Sequence, residues 1–383
     1  MTETIRVMVV DDSPFMRRSI ERMLTTSDIQ VVGTARDGVD ALEKIPMYKP
    51  DLITLDIEMP RMDGLSCLKK IMEDYPSMPV LMVSSLTQEG AKATLEALEL
   101  GALDFISKEK KLEGRDENIL NIKDELQEKV RKLSQSPKFR TNRRTLVSGA
   151  PAPARPAMPA TPATPAPHET EAPPPRPSAF QKGVQGTIPN SPRAEMIVLG
   201  CSTGGPKALQ DFLPYLPKNL PVPMLIVQHM PSSFTKPFAD RLNGICQMEV
   251  KEASNGDVPQ PGHIYLAPGG IHMHLRHQLG RYSIELNPEP SNTLHRPSVD
   301  VLFQSAFDAC NNVQLLAIIL TGMGSDGAQG MKKLKSKGAY TMAEAESSCV
   351  VYGMPKAAYE LGCVDVVSPI TDMAGIVKNH FQL

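Results

Sequence analysis

The residue best placed to act as a nucleophile in this 383-residue chain is Ser202, in the segment G-C-S-T-G at 200–204. The apolar residues Ile197–Leu199 precede it, and a helical pattern begins at Pro206. The pattern G-x-S-x-G between a strand and a helix places a serine on a tight turn above the sheet edge. The N-terminus of the following helix offers free N–H groups to a developing oxyanion. The alternative is a glycine-rich turn that binds phosphate or only reverses the chain.

A histidine and an aspartate follow two other apolar segments. His229 comes directly after Val222–Gln228, and Asp326 lies in T-G-M-G-S-D-G, just after Gln314–Leu320. The carboxyl ends of parallel strands meet at one edge of a sheet, where sites assemble. A serine needs a base to take its proton, and the imidazole needs an acid to fix its tautomer. We therefore predict a catalytic triad of Ser202, His229 and Asp326, in a chain order that differs from the Ser-Asp-His order of α/β-hydrolases.

A second group of polar side chains lies near the N-terminus, at the ends of successive predicted strands: Asp11, Asp12, Asp56, Ser84 and Lys108. Three carboxylates at one sheet edge repel one another unless a cation lies among them, and Mg²⁺ suits carboxylates together with phosphate oxygens. A hydroxyl and an ammonium on the same edge suit a phosphoryl group. We predict a phosphoryl site that uses Mg²⁺, the alternative being an acidic edge without function.

The elements that must position these residues form two predicted α/β domains. Five apolar strands alternate with five helical patterns over residues 1–135, which indicates a doubly wound parallel sheet. Residues 193–383 alternate in the same way, with a β-hairpin at Ile271–Arg276 and Tyr282–Leu286. The intervening residues 136–192 are rich in proline and alanine, a composition typical of a flexible linker.

Further elements are expected in the second domain. The apolar patterns there predict a doubly wound, mostly parallel sheet. The predicted strands are Ile245–Val250, His263–Ala267 and Ala339–Met342, and the predicted helices are Pro206–Leu216, Pro297–Ala309 and Gly327–Ser336.

Composition limits the class of protein. The formal net charge is −2 and charged residues make up 22%, so no global nucleic-acid footprint is present. The six cysteines contain no C-x-x-C pair, which favours a reducing compartment. No apolar run approaches the ~18 residues of a membrane span, and the N-terminus lacks a basic leader pattern. We expect a cytoplasmic protein with no nucleic-acid partner and no insertion into the membrane.

The histidines of the predicted hairpin are not expected to bind a metal. His272 and His274 share a strand face, whereas His277 is an odd number of residues from both and lies on the other face. No nearby carboxylate completes a ligand set. We interpret them as hairpin side chains, with His272 a possible lining residue of the site. Cys201, next to the serine, is interpreted as a packing residue because a tight turn presents only the residue at its tip.

The N-terminal motifs resemble the receiver domain of two-component response regulators. They are D-D-S-P at 11–14, L-D-I-E-M-P-R-M-D-G at 55–64, V-S-S at 83–85 and D-F-I-S-K at 104–108. The resemblance implies a flavodoxin-like sheet of order 2-1-3-4-5, with a histidine kinase as phosphodonor. It implies a phosphoacceptor, Asp56, four Mg²⁺ ligands, Asp11, Asp12, Asp56 and the carbonyl of Glu58, and three switch residues, Ser84, Phe105 and Lys108. The chain has Glu109 where the family usually has a proline.

The C-terminal motifs resemble the catalytic domain of chemotaxis protein-glutamate methylesterases. They are G-C-S-T-G-G-P at 200–206, Q-H-M-P at 228–231, I-Y-L-A-P-G-G-I-H at 264–272, R-P-S-V-D-V-L-F at 296–303, L-T-G-M-G-S-D-G at 320–327 and V-V-Y-G-M-P-K-A-A at 350–358. The resemblance implies the roles already given to Ser202, His229 and Asp326, and places Thr203 and the N–H of Met323 at the oxyanion and substrate.

That second resemblance also implies a substrate and a mode of control. The substrates would be glutamate methyl esters of methyl-accepting chemoreceptors, with deamidation of receptor glutamines as a further activity and no cofactor in this domain. The unphosphorylated receiver would cover the catalytic edge. The last residues, K-N-H-F-Q-L, contain no N-W-x-x-F tethering peptide, so the sequence does not indicate how receptors are reached.

Three other functions compete with this interpretation. A response regulator with a DNA-binding output would need a helix-turn-helix or a basic face after the linker, and neither pattern is present. A phosphate-binding adaptor would use the G-C-S-T-G-G turn without requiring His229 or Asp326. An esterase acting on receptors of another signalling array would use the same residues, so the sequence does not separate it from the chemotaxis enzyme.

Overall fold

The fold is that of a computed structural model, which describes residues 4–85, 87–108, 120–136, 188–189, 192–310 and 314–383. Two α/β units are present, here called the N-terminal unit (residues 4–136) and the C-terminal unit (residues 188–383). Most of the predicted linker, and Glu109, lie outside the described residues. In the described part of the chain, no helix has both the length and the apolar character needed to cross a bilayer.

The N-terminal unit is a five-stranded parallel sheet of order β2-β1-β3-β4-β5, which confirms the predicted flavodoxin-like order. Its strands are β1 (Ile5–Val10), β2 (Ile29–Ala35), β3 (Leu52–Asp56), β4 (Val80–Ser84) and β5 (Asp104–Ser107). Its helices are α1 (Pro14–Leu24), α2 (Gly38–Tyr48), α3 (Gly64–Asp74), α4 (Gln88–Leu100) and α5 (Leu120–Ser134).

Local sequence explains where the first helix begins. The hydroxyl of Ser13 accepts a hydrogen bond from the backbone N–H of Met16 at 3.4 Å, and Pro14 occupies the first helical turn. A proline there loses no hydrogen bond, because the first N–H groups of a helix have no partner within it. Helix α1 therefore starts two residues after Asp12, which leaves Asp11 and Asp12 at the carboxyl edge of the sheet.

The C-terminal unit is a seven-stranded parallel sheet of order β14-β13-β12-β6-β7-β9-β8, with a separate antiparallel hairpin. Its strands are β6 (Met196–Cys201), β7 (Met224–Gln228), β8 (Glu249–Glu252), β9 (His263–Leu266), β10 (His272–Gln278), β11 (Arg281–Asn287), β12 (Leu315–Ile319), β13 (Tyr340–Glu344) and β14 (Val366–Ser368). Its helices are α6 (Gly205–Phe212), α7 (Ser232–Ile245), α8 (Val299–Ala309), α9 (Ala328–Ser336), α10 (Met354–Glu360) and α11 (Ile370–Phe381).

The central strands of this sheet are covered on both faces. Every residue of β6, β7 and β12 is buried, which is why these segments read as continuous apolar runs rather than alternating ones. Along β6, Val198 packs with the hairpin and α8, whereas Leu199 packs with α6, α7 and α11. Backbone pairing holds the carboxyl ends of β6, β7 and β12 side by side, and the two apolar layers cover the sheet on both faces.

The predicted hairpin is confirmed, with Leu279 and Gly280 as its two turn residues. Both have positive φ, 50° and 74°, as in the two-residue turn that matches the twist of antiparallel strands. The predicted strand Ile245–Val250 is wrong in its first half, because Ile245 is the last residue of α7 and β8 starts at Glu249. The apolar residues Phe234, Phe238 and Leu242 have helical spacing that Pro237 obscures in the sequence.

The two units contact each other through α4 and β5 on one side and α6 and α7 on the other. The rings of Phe105 and Phe234 stack with centroids 4.6 Å apart. The Glu99 carboxylate forms an ion pair with Arg241, and the Gln210 amide donates to the same carboxylate at 3.4 Å. Both units also contribute to shared buried apolar clusters, so their contact is a packed interface.

Candidate active site

The turn after β6 carries Ser202. The backbone N–H of Ser202 donates to the carbonyl of Thr321 at 3.0 Å, and its carbonyl accepts from the N–H of Gly205 at 2.7 Å. Gly204 has a φ of 77°, a conformation that side-chain-bearing residues rarely adopt. Helix α6 then begins at Gly205. The strand, turn and helix predicted around the serine are therefore present, and Ser202 is half-buried at the sheet edge.

His229 and Asp326 meet beside that turn. The His229 Nε2 and Asp326 Oδ2 atoms are 2.8 Å apart, and both side chains are largely buried. The last residues of β6 and β7, Cys201 and Gln228, are paired in the sheet, which makes Ser202 and His229 neighbours at its carboxyl edge. The structure thus brings together the serine, histidine and aspartate that the sequence selected from three separate strand ends.

The backbone at the N-terminus of α8 holds the Asp326 carboxylate. Oδ1 accepts from the Ser298 hydroxyl and from the Asp300 N–H, each at 2.9 Å, and Oδ2 accepts from the Val299 N–H at 2.7 Å. Burial alone would raise the pKa of Asp326, but the bonds from His229 and from these N–H groups lower it well below its usual range. Asp326 is therefore a fixed carboxylate that can accept a hydrogen bond from the Nε2–H of His229.

The other ring nitrogen of His229 is available for chemistry. Nδ1 is buried and has no hydrogen-bond partner among the described residues. With Nε2–H committed to Asp326, Nδ1 carries a lone pair, as a general base requires. No hydrogen bond joins it to the Ser202 hydroxyl in this structure, and such bonds often tighten only with substrate bound.

The region predicted to bind the oxyanion lies between the ends of β6 and β12. The Thr321 hydroxyl donates to the carbonyl of Thr203 at 2.9 Å, which ties the two strand ends together. A Cβ on Gly322 would lie 2.3 Å from the Met354 sulfur and 2.9 Å from the Ser202 Cβ, so only glycine fits there. Met323 follows, half-buried. Both predicted residues, Thr203 and Met323, are thus next to the serine turn.

Gln228 and His295 belong to the site, although no pattern in the sequence marks them. The buried Gln228 amide donates to the carbonyls of Ser202 and His229, each at 3.0 Å, and so links the backbone of the candidate nucleophile to that of the candidate base. The ring of His295 stacks on His229 with centroids 4.1 Å apart. Cys201 packs as expected: its thiol contacts the Gln228 Oε1 at 3.0 Å, and burial raises its pKa.

An open cleft of about 730 Å³ extends from Asp326 along α8 and α9. Its rim includes Leu294, which is almost fully exposed, and its inner wall includes His295 and Ser298. Of the three predicted triad residues, Asp326 lines this cleft, whereas Ser202 and His229 do not.

In the N-terminal unit the predicted acidic residues converge. The carboxylates of Asp11, Asp12 and Asp56 have oxygen atoms within 4.8 Å of one another. Lys108 Nζ lies 2.7 Å from the Asp56 carboxylate and 3.2 Å from that of Asp11. Burial, with added repulsion from Asp11, raises the pKa of Asp56 to about 6 although Lys108 opposes the shift. These crowded oxygen ligands suit a hard cation such as Mg²⁺.

The three predicted switch residues lie in different surroundings. Lys108 is in the acidic cluster, whereas the Ser84 hydroxyl is turned to α4, where it accepts from Thr94 at 2.7 Å. Phe105 is buried against Phe234 in the interface between the units. Glu58 is exposed next to the cluster, with its backbone following Asp56 by two residues.

Comparison with known proteins gives two family matches. Residues 197–377 match the CheB methylesterase family, and residues 7–116 match the response regulator receiver domain. The protein-glutamate methylesterase/protein-glutamine glutaminase 1 of Oleidesulfovibrio alaskensis is 48% identical over 98% of this chain and 99% of its own. The corresponding protein of Halalkalibacterium halodurans is 43% identical over 96% of each chain.

Solved structures match each unit separately. The CheB methylesterase catalytic domain of Thermotoga maritima covers 49% of this chain and 98% of its own, with 40% identity and a TM-score of 0.47. The response regulator domain of Thermotoga maritima CheB covers 34% of this chain and 95% of its own, with 48% identity and a TM-score of 0.31. Given the relatives that are similar along its whole length, the chain belongs to the family of protein-glutamate methylesterases/protein-glutamine glutaminases, in which a receiver domain precedes a CheB methylesterase domain.

Proposed function

We propose that this chain is a phosphorylation-activated serine hydrolase that demethylates glutamate methyl esters on chemoreceptors and deamidates receptor glutamines. The relatives' names supply both reactions. The observation that carries the assignment to residues is the 2.8 Å contact of His229 with Asp326 beside the Ser202 turn. Proposed with it are the domain limits 1–135, 136–192 and 193–383, which α5 ending at Ser134 and β6 beginning at Met196 support.

In the proposed first step, the Ser202 oxygen attacks the ester carbonyl while His229 Nδ1 takes the hydroxyl proton. The Asp326 carboxylate holds the Nε2 proton and stabilises the imidazolium that forms. His229 then gives the proton to the departing methoxy group, and methanol leaves. An acyl-enzyme on Ser202 remains.

In the proposed second step, water attacks the acyl-enzyme and His229 takes its proton, which frees the glutamate carboxylate and restores Ser202. A receptor glutamine would follow the same path, with ammonia leaving in place of methanol. The tetrahedral oxyanion of each step would be stabilised by N–H groups of the turn at Thr203 and of Met323. The open cleft beside Asp326 supports a substrate presented on the surface of another protein.

We propose that the N-terminal unit controls access to this site. It packs on α7, which begins three residues after His229 in the chain. Val350 and Val351, whose loop contacts Gly322, are in one apolar cluster with core residues of the N-terminal unit, and Met323 packs against that cluster. A receiver held there would obstruct the substrate at the catalytic edge.

The proposed switch is phosphorylation of Asp56 by a chemotaxis histidine kinase. Asp11, Asp12, Asp56 and the Glu58 carbonyl would hold Mg²⁺, which when bound neutralises charge on the transferred phosphoryl group. A phosphoryl group adds about −1.5 to −2 charge at neutral pH. Lys108, already beside Asp56, would pair with it, and the Ser84 hydroxyl would turn toward it. Release of Ser84 from Thr94 would disturb α4 at the interface. Receptors and kinase of the chemotaxis array are the proposed partners.

The first prediction concerns the nucleophile. Ser202→Ala should lower kcat for methanol release from methylated receptor membranes by about 10⁶-fold, as triad enzymes do on losing this group. Ser254→Ala, an exposed serine far along the chain from the site, is the matched control and should retain full activity. Full retention of activity by Ser202→Ala would overturn the assignment.

The second prediction concerns the acid. Asp326→Asn keeps the shape of the side chain but puts a donor where His229 Nε2–H needs an acceptor, so the imidazole should take the wrong tautomer. We expect kcat to fall by about 10⁴-fold. Asp372→Asn, on an exposed position of α11, should leave kcat unchanged. A loss of less than about tenfold in Asp326→Asn would exclude the orienting role.

The third prediction concerns the interface. Reversing one charge of the Glu99–Arg241 pair replaces attraction with repulsion between the units. Because the pair is about one-third exposed, each single change should weaken closure by up to about 1 kcal/mol and raise resting activity up to about fivefold. Glu99→Arg combined with Arg241→Glu should restore the resting rate, whereas Lys236→Glu on α7 should not change it. If the two single variants, the double variant and Lys236→Glu all had the resting activity of the natural chain, inhibition by contact between the units would be excluded.

The fourth prediction concerns the phosphoacceptor. Asp56→Asn should keep the resting rate of hydrolysis and lose stimulation by a small phosphodonor, since an amide cannot form the acyl phosphate. Asp74→Asn, exposed at the end of α3, should be stimulated as the natural chain is. Stimulation of Asp56→Asn by phosphodonor would show that another residue is phosphorylated.

A further inference from the structure

A fully buried imidazole lies behind the proposed triad and takes no part in the steps given above. His272 is the first residue of β10 and has no exposed surface. Its Nδ1 accepts a hydrogen bond from the backbone N–H of Ser298 at 3.1 Å. Its Nε2 lies 3.2 Å from the carbonyl of Pro290 and 3.2 Å from the hydroxyl of Thr293. Both ring nitrogens of His272 are therefore engaged.

These contacts determine the protonation state of His272. An N–H group can only donate, so the Ser298 N–H requires an unprotonated Nδ1, and the Pro290 carbonyl requires a proton on Nε2. The imidazole is thus neutral. Burial lowers its pKa, as do the nearby charge of Arg296 and the neighbouring His274, while the Pro290 carbonyl and Asp326 act in the opposite direction. A second proton would set the Nδ1–H against the Ser298 N–H.

The residue that His272 holds is the N-cap of α8. The Ser298 hydroxyl donates to Asp326 and accepts from the N–H of Val301 at 3.4 Å. The next two N–H groups, of Val299 and Asp300, also donate to Asp326. One imidazole acceptor therefore fixes the backbone that presents three donors to the triad carboxylate.

We propose that His272 is a positioning residue of the hydrolase: its neutral ring seats the N-terminus of α8, which orients Asp326 and through it His229. The proposal rests on the proposed function, because it assigns His272 to that same reaction. It differs from a packing role in one respect. A packing role requires only the volume of the ring, whereas a positioning role requires a hydrogen-bond acceptor at the position of Nδ1.

Loss of that acceptor should act on catalysis rather than on substrate binding. His272 is buried behind Ser298 and has no surface to offer a substrate. If the α8 N-terminus shifts, Asp326 loses donors and its orientation, and errors of about 1 Å in such groups cost up to about 100-fold in rate. The loss should therefore appear in kcat and leave KM nearly unchanged.

The test compares two amides at position 272 in the full-length chain. In His272→Asn, the side-chain amide oxygen lies close to the position that Nδ1 occupies in histidine, so it can accept a hydrogen bond from the Ser298 N–H. In His272→Gln, the amide lies near the position of Nε2 instead. We expect Gln to lower kcat about 10- to 100-fold with little change in KM. Asn should retain kcat within a few-fold. His277→Gln and His277→Asn, at the exposed end of the same strand, are matched controls with unchanged kcat and KM.

Several results would overturn the proposal. It fails if Gln and Asn are equally slow, if both are fully active, or if the loss is in KM alone. A measurement on the natural chain does not depend on how the variants fold: ¹⁵N-histidine spectra should show His272 as the neutral Nε2–H tautomer from pH 6 to 8, identified by the signal missing in His272→Asn. An Nδ1–H tautomer would contradict the proposal. No methanol release by the natural chain would instead contradict the proposed function, and the spectra would still test the Ser298 contact.

Discussion

The site depends on one carboxylate that is bound from two directions. Asp326 accepts three hydrogen bonds from the start of α8 and faces the imidazole of His229 on its other side. A buried carboxylate without such donors would carry a large desolvation cost and would take up a proton. The helix N-terminus removes that cost through its N–H groups and its partial positive charge. The histidine then keeps one tautomer, and its Nδ1 is left with the lone pair that the proposed base needs.

That arrangement requires distant parts of the chain to reach one edge. Ser202, His229 and Asp326 each follow a central parallel strand, and the strand order changes direction at β6, whose neighbours are β7 and β12. Loops on the two sides of such a point separate and leave a crevice at the carboxyl ends of the strands. The hairpin and α8 close the back of this crevice, which is where His272 and Ser298 are buried. The same layers that build the core thus support the reactive groups.

The sequence predicts the parts of the site that are marked by strand ends. A buried parallel strand is a continuous apolar run, so the residue after it can be read directly, as with Ser202 and His229. Gln228, His295 and Ser298 could not be selected in this way, because their roles come from contacts between residues far apart in the chain. Ser298 carries a partial signal, since a serine before an apolar helix is a recognisable N-cap. The helix Ser232–Ile245 was missed because Pro237 interrupts its pattern.

The interface between the units is formed by one apolar face of each unit. In the N-terminal unit, the face formed by α4 and β5 carries Phe105, and it meets the aromatic face of α7 at Phe234. The acidic cluster lies at the other end of β5, where Lys108 immediately follows Ser107. One four-residue strand therefore connects a change at Asp56 with a change at Phe105.

If the interface is mostly closed at rest and mostly open after phosphorylation, the two states must differ by several kcal/mol in their preference for the closed form. The Glu99–Arg241 pair alone supplies too little, since exposed pairs contribute about 1 kcal/mol or less. In the proposed control, the stacked rings and the shared apolar clusters would therefore carry most of the closure, and repacking of Phe105 would be the step that releases it.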